Sequence, residues 1–96
     1  MLTYTLLVSK QNFRDTIHKK IQEIPEGIYR LYKVSGEYDL LVEIKLQNET
    51  KMKEVLNKIK SFDGVMDLKT LTVLHKTKEH DHLPKPNPHV STDSDF

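Results

Sequence analysis

The chain contains no cysteine. Disulfides, thiolate metal sites and cysteine nucleophiles are therefore excluded. Neither sign of charge is in excess: 15 basic residues stand against 14 acidic ones, for a net charge of +1. That balance gives no general pull toward nucleic acid or a membrane surface. No apolar run approaches the roughly 20 residues that a membrane helix needs. The opening Met1-Leu2-Thr3-Tyr4-Thr5-Leu6-Leu7-Val8 has neither a basic leader region nor a small-residue cleavage site. A cytoplasmic protein with no membrane partner is therefore expected, and Asn48-Glu49-Thr50 matches the glycosylation sequon by chance. The 96 residues have room for one domain, and a core that small gains much from a partner.

What is present is a series of short periodic segments before residue 76. Thr3 to Ser9 is β-rich and predicts a strand. Asn12 offers a helix N-cap with Asp15 three residues on, and Phe13, Ile17, Ile21 and Ile24 follow at helical spacing. Pro25-Glu26-Gly27 stops this helix at about Glu23. Ile28 to Val34 predicts a second strand, Ser35-Gly36-Glu37 a tight turn, and Tyr38 to Leu46 a third strand, so the pair forms a hairpin. Thr50 is the expected cap of a second helix, whose apolar stripe is Met52, Val55, Leu56 and Ile59. Phe62-Asp63-Gly64 ends it, and Val65 to His75 predicts the fourth strand.

The order βαββαβ, with right-handed crossovers, predicts an α+β ferredoxin-like fold: a four-stranded antiparallel sheet with two helices on one face. The third strand alternates Leu40, Val42 and Ile44 against Leu41, Glu43 and Lys45, and Leu7 lies opposite Leu6 and Val8. The second sheet face is therefore mixed. Leu7 and Leu41 are assigned to it, and it is expected to meet a second copy in a dimeric α+β barrel. Residues 1–76 form the domain. Residues 77–96 carry Pro84, Pro86 and Pro88 and no periodicity, and are expected to be a disordered polar tail.

Val34-Ser35-Gly36-Glu37-Tyr38-Asp39-Leu40-Leu41 resembles the hairpin of the Lrp/AsnC ligand-binding (RAM) domain. That family typically shows a hydrophobic residue, Ser or Thr, Gly, a variable residue, an aromatic and Asp before a strand. Phe62-Asp63-Gly64-Val65 is similar to the family's helix exit, with Asp63 where Pro is usual. Thr70 lies where the family carries a Thr in the last strand. The resemblance covers about residues 2 to 76. It implies an effector sensor of transcription regulators that binds an amino acid or similar small metabolite near the hairpin, between neighbouring dimers. The ligand residues it implies are Ser35, Gly36, Glu37, Tyr38, Asp39 and Thr70. It further implies a homodimer, with higher oligomers of dimers, and a full-length Lrp/AsnC-type regulator as a partner. Because the first sensor strand begins at Thr3, the expectation is a stand-alone form without the helix-turn-helix and without direct DNA binding.

The residues themselves allow this role. Gly36 can take a positive φ and leave backbone amides uncovered for a carboxylate, and Asp39 can accept from an ammonium. They equally suit a purely structural turn, Tyr38 suits packing, and Thr70 suits any strand. Of the weaker signals, His80 and His82 lie two apart beside His75, Glu79 and Asp81, but solvated histidines are expected, with no metal and no cofactor. Lys51, Lys53, Lys58 and Lys60 read as a wet helix face. Two alternatives remain: a barrel enzyme of monooxygenase or isomerase type, and a pure oligomerisation or partner-binding module. The enzyme would need a buried Glu43 or His18 with further catalytic groups, and no such constellation is legible, so the reading is not an enzyme.

Overall fold

The computed structural model describes residues 1–78. Its elements are β1 (Leu2–Ser9), α1 (Arg14–Gln22), β2 (Ile28–Lys33), β3 (Leu40–Lys45), α2 (Glu49–Lys60) and β4 (Val65–Val73). The strands form one sheet in the order β2-β3-β1-β4, and every neighbouring pair is antiparallel. This is the expected ferredoxin-like arrangement. The expected tail lies outside the described residues apart from Thr77 and Lys78, as do Glu79, His80, Asp81, His82 and His89.

Register fixes which residues share a face. Leu7 pairs with Leu40, Thr5 with Val42 and Thr3 with Ile44, and all six are buried. Leu7, Leu40, Val42 and Ile44 pack with Ile17 and Ile21 of α1 and Met52, Val55 and Ile59 of α2, so this is the helix-covered face. The opposite face carries Leu2, Tyr4, Leu6 and Val8 of β1 beside Leu41, Glu43 and Lys45 of β3. Leu7 is thus a core residue, contrary to its assignment to the open face. Its neighbours Leu6 and Val8 take the open positions, because side chains alternate strictly along a strand.

Several boundaries differ for local reasons. Asn12 does not cap α1. It holds the left-handed conformation, φ 72°, which Asn tolerates better than most residues, and the cap position falls to Phe13 with no side-chain acceptor. Thr50 lies inside the first turn of α2; the cap is Asn48, whose side chain accepts from the Lys51 amide at 2.9 Å. β4 ends at Val73, two residues early. The β2–β3 connection is six residues, 34–39, rather than a three-residue turn, because β3 begins at Leu40. Gly64, φ +93°, is where only glycine fits: a Cβ there would collide with the Phe13 ring.

Candidate functional site

The hairpin loop divides into two parts. Ser35, Gly36 and Glu37 are exposed, whereas Tyr38 and Asp39 are half-buried. Gly36 has φ +107° with open space around it, so the turn needs glycine for its backbone angle. Asp39 is fixed twice. Its amide donates to the Leu7 carbonyl at 2.8 Å, and its carboxylate Oδ2 accepts from the Ser9 amide at 2.8 Å. The loop carbonyl of Asp39 in turn accepts from the Val34 amide at 3.0 Å. The carboxylate therefore buttons the start of β3 to the end of β1.

Beside that contact lies a cavity of about 390 Å³ lined by Ser9, Lys10, Gln11, Asn12, Arg14, Asp15 and Asp39. It brings two cations and two carboxylates together. Lys33 reaches Asp15 at 2.8 Å, and Arg14 stands 3.9 Å from the same carboxylate. The Lys33 hydrogen bond, then its charge, holds the Asp15 carboxyl below the ordinary range. Sequence reasoning missed Lys10, Arg14 and Asp15. The topology could have found them: β1 and β3 are antiparallel neighbours, so the loop leaving β1 must sit beside the loop entering β3.

Thr70 lies elsewhere. It pairs with Thr5 on the helix side of β4 and lines a groove of about 340 Å³ with Leu56, Asn57, Lys60, Val65, Met66, Asp67 and Leu68. The two cavities share no residue. One chain therefore brings Asp39 together with Ser9 and the β1–α1 loop, and does not bring it together with Thr70.

A second polar group sits on the open sheet face. Glu43 is only 7% exposed. It accepts from the Tyr4 hydroxyl at 3.2 Å and faces Arg30 Nε at 3.8 Å. Arg30 also lies over the Tyr29 ring, 4.9 Å from its centroid, and Lys45 lies over the same ring at 4.1 Å. Burial, then the charge of Glu43, raises the Tyr4 pKa. His18 is half-buried on α1, away from this cluster in sequence and element. Among the described residues no group of three or more His, Asp or Glu could hold a metal ion.

The geometry is that of a ferredoxin-like α+β domain with a charged end-of-sheet cavity and one uncovered sheet face. The family model for the Lrp/AsnC ligand binding domain matches residues 5–83, and the chain belongs to that family. The HTH-type transcriptional regulator FL11 of Pyrococcus furiosus is 30% identical over 84 residues, covering 88% of this chain and 55% of FL11. The chain thus spans about half the length of the curated relatives it matches. Among solved structures, TTHA0845 from Thermus thermophilus superposes with a TM-score of 0.75 at 24% identity, covering 81% of this chain and 98% of that one. The transcriptional regulator NMB0573 from Neisseria meningitidis, solved as a complex with L-Met, gives 0.71 at 21% identity, covering 86% and 55%. Likeness at these identities shows the fold. The family and FL11 point to the ligand-binding domain of a transcriptional regulator and not to an enzyme.

Proposed function

We propose that this domain senses an amino acid or similar zwitterionic metabolite at the hairpin cavity and passes the signal to transcription through its assembly. The carrying observation is the cavity beside Asp39, where Lys10 and Arg14 offer cations and Asp15 and Asp39 offer carboxylates. An α-amino acid needs both signs within a few ångströms, since each charged end must be paired when water is withdrawn. Lys10 and Arg14 suit the carboxylate, and the free oxygen of Asp39 suits the ammonium. Ser35, Gly36, Glu37 and Tyr38 belong to the same loop as Asp39 but are not among the residues that line this cavity. Thr70 joins the same ligand only from a neighbouring copy, since within one chain it lines a different cavity. The L-Met complex of a regulator with this fold supports the ligand class.

The assembly in this reading is a homodimer joined through the open sheet faces. Leu2, Leu6, Val8 and Leu41 lie on that face, with Leu71 and Val73 of β4 beside them. The curated relatives are HTH-type regulators about twice as long, so the partner on the transcription side is a regulator of that kind. A thermal-shift screen with the twenty amino acids tests the reading, because a ligand that binds the folded state must raise its stability. The best ligand is then titrated calorimetrically into the wild type and Asp39→Asn. A loss of about tenfold or more in affinity is expected, the scale of a hydrogen bond to a charged group. Equal affinities would move the site away from the hairpin.

A further inference from the structure

The open sheet face holds a carboxylate that its own surroundings do not call for. A glutamate facing solvent is normally hydrated, yet Glu43 is 7% exposed and lies at the centre of the face. Its row runs Arg30–Glu43–Tyr4–Leu71 across all four strands, by the pairings of Arg30 with Glu43, Tyr4 with Glu43 and Tyr4 with Leu71. Glu43 is held on one side by the Tyr4 hydroxyl at 3.2 Å, and on the other only by Arg30 Nε at 3.8 Å. Arg30 remains 56% exposed, and although its guanidinium also meets the Tyr32 and Tyr29 side chains, it projects from the face that carries Leu2, Leu6, Val8, Leu41, Leu71 and Val73. The face is self-complementary at its centre: each copy presents the Arg30 cation beside the half-satisfied Glu43 carboxylate, with Lys45, Lys69 and Asp67 also on the face. A two-fold axis lying in the plane between two such faces brings the same patch of each copy against the other.

We propose that Arg30 and Glu43 of one chain complete the Glu43 and Arg30 of a second copy, so that this ion-pair cluster sets the register of two sheets stacked face to face. This rests on the homodimer reading above. A purely apolar face would allow its partner to slide or rotate, since hydrophobic contact is non-directional. A buried charge pair penalises every misaligned arrangement, because a charge stripped of water and left unpaired is costly. Fixing register in this way is the best-attested role for buried polar groups in an interface. Tyr4 positions Glu43 for the exchange.

The test is analytical ultracentrifugation of the full chain with two oppositely charged single variants. Glu43→Arg leaves two cations on the patch, and Arg30→Glu leaves two carboxylates. Each alone should dimerise at least 100-fold more weakly than the wild type, and an equimolar mixture should form a heterodimer close to wild-type strength. Recovery in the mixture also shows that both chains fold. Glu43→Gln, which keeps the shape, should weaken the dimer and give more than one set of amide signals in an NMR spectrum. A wild type that stays monomeric at millimolar concentration would overturn the dimer and with it this role. A dimeric wild type whose single variants associate normally, or whose mixture shows no heterodimer preference, would overturn the role of the cluster alone.

Discussion

The two faces of this sheet invert the usual expectation along β1. The covered face buries Thr3, Thr5 and Leu7, whereas the open face shows Leu2, Tyr4, Leu6 and Val8. The hydroxyls of Thr3 and Thr5 are buried with no hydrogen-bond partner. β3 does the opposite: Leu40, Val42 and Ile44 turn toward the helices, and Glu43 and Lys45 turn away. The covered face therefore takes most of its apolar character from β3 and the helices, and the open face takes most of its own from β1, with Leu41 of β3 and Leu71 and Val73 of β4. A strand with its larger apolar side chains on the uncovered side fits the homodimer proposed above, with one core within the chain and a second between chains.

The comparison breaks most visibly by truncating one residue on each face. Leu40→Ala removes a fully buried side chain from the covered face and should cost about 2–5 kcal/mol in urea denaturation, as large-to-small core changes do. Leu71→Ala on the open face starts from a residue that is 52% exposed. It should cost well under that in a dilute monomer and show its effect in the dimer constant instead. Equal losses at low and high protein concentration would mean that the open face has no core of its own.

At the edge between the faces, Asp39→Ala deprives the Ser9 amide of its acceptor. The expected cost is about 1–3 kcal/mol, the penalty for an unmade bond to a partly buried group. Asp39→Asn keeps an acceptor oxygen and should recover most of that stability while still weakening the ligand. Measuring both variants for folding and for affinity separates the buttoning role of Asp39 from its binding role. A variant pair that differs in neither would leave Asp39 as a bystander.

A smaller effect of opposite sign is expected at Thr5. Its hydroxyl is buried without a partner, and Val has nearly the same shape without the polar atom. Thr5→Val should stabilise the chain by roughly 1 kcal/mol, since an unsatisfied buried group carries its desolvation penalty uncompensated. A lower melting temperature for Thr5→Val would show that the hydroxyl finds a partner in solution.

These residues also mark where the sequence could and could not be read. Alternation in β3 and the helical spacing of Ile17, Ile21, Met52, Val55 and Ile59 carried the element order and the core, because period 2 and period 3.6 are local signals. The side of β1 was not legible in the same way, since Thr3, Thr5, Leu6, Leu7 and Val8 alternate in position but not in polarity. The helix caps failed because Asn12, Asn48 and Thr50 all offer cap chemistry, and only the chain's path decides which of them turns, which caps and which lies inside the helix. The hairpin glycine and aspartate were visible as a motif. What Asp39 binds was not, because its acceptor role spans 30 residues of sequence and depends on β1 lying beside β3. The separation of Thr70 from the hairpin is likewise a fact of strand order.

The smallest expected effect concerns the two ion pairs that flank β2. Lys33 shares the covered side with Leu40 and meets Asp15 at 2.8 Å; Arg30 shares the open side with Glu43 and meets it at 3.8 Å. Distance alone would rank the first pair higher. Exposure ranks it lower, because Asp15 is a solvated carboxylate and its pair is screened by water and salt. The Asp15 carboxyl is nonetheless depressed, first by the Lys33 hydrogen bond and then by its charge. A carboxyl with a lowered folded pKa contributes its stability above the unfolded value and loses it as pH falls through the folded one. The contribution should therefore be present at neutral pH and fade only on acidification below the usual carboxylate range. An NMR titration of the Asp15 carboxyl should show the low midpoint, and Lys33→Met should raise it toward the ordinary range while leaving the neutral-pH melting temperature within experimental scatter. A large fall in melting temperature for Lys33→Met would show that the shorter, exposed bridge matters to the fold after all, and that burial is the wrong way to rank the two sides of this sheet.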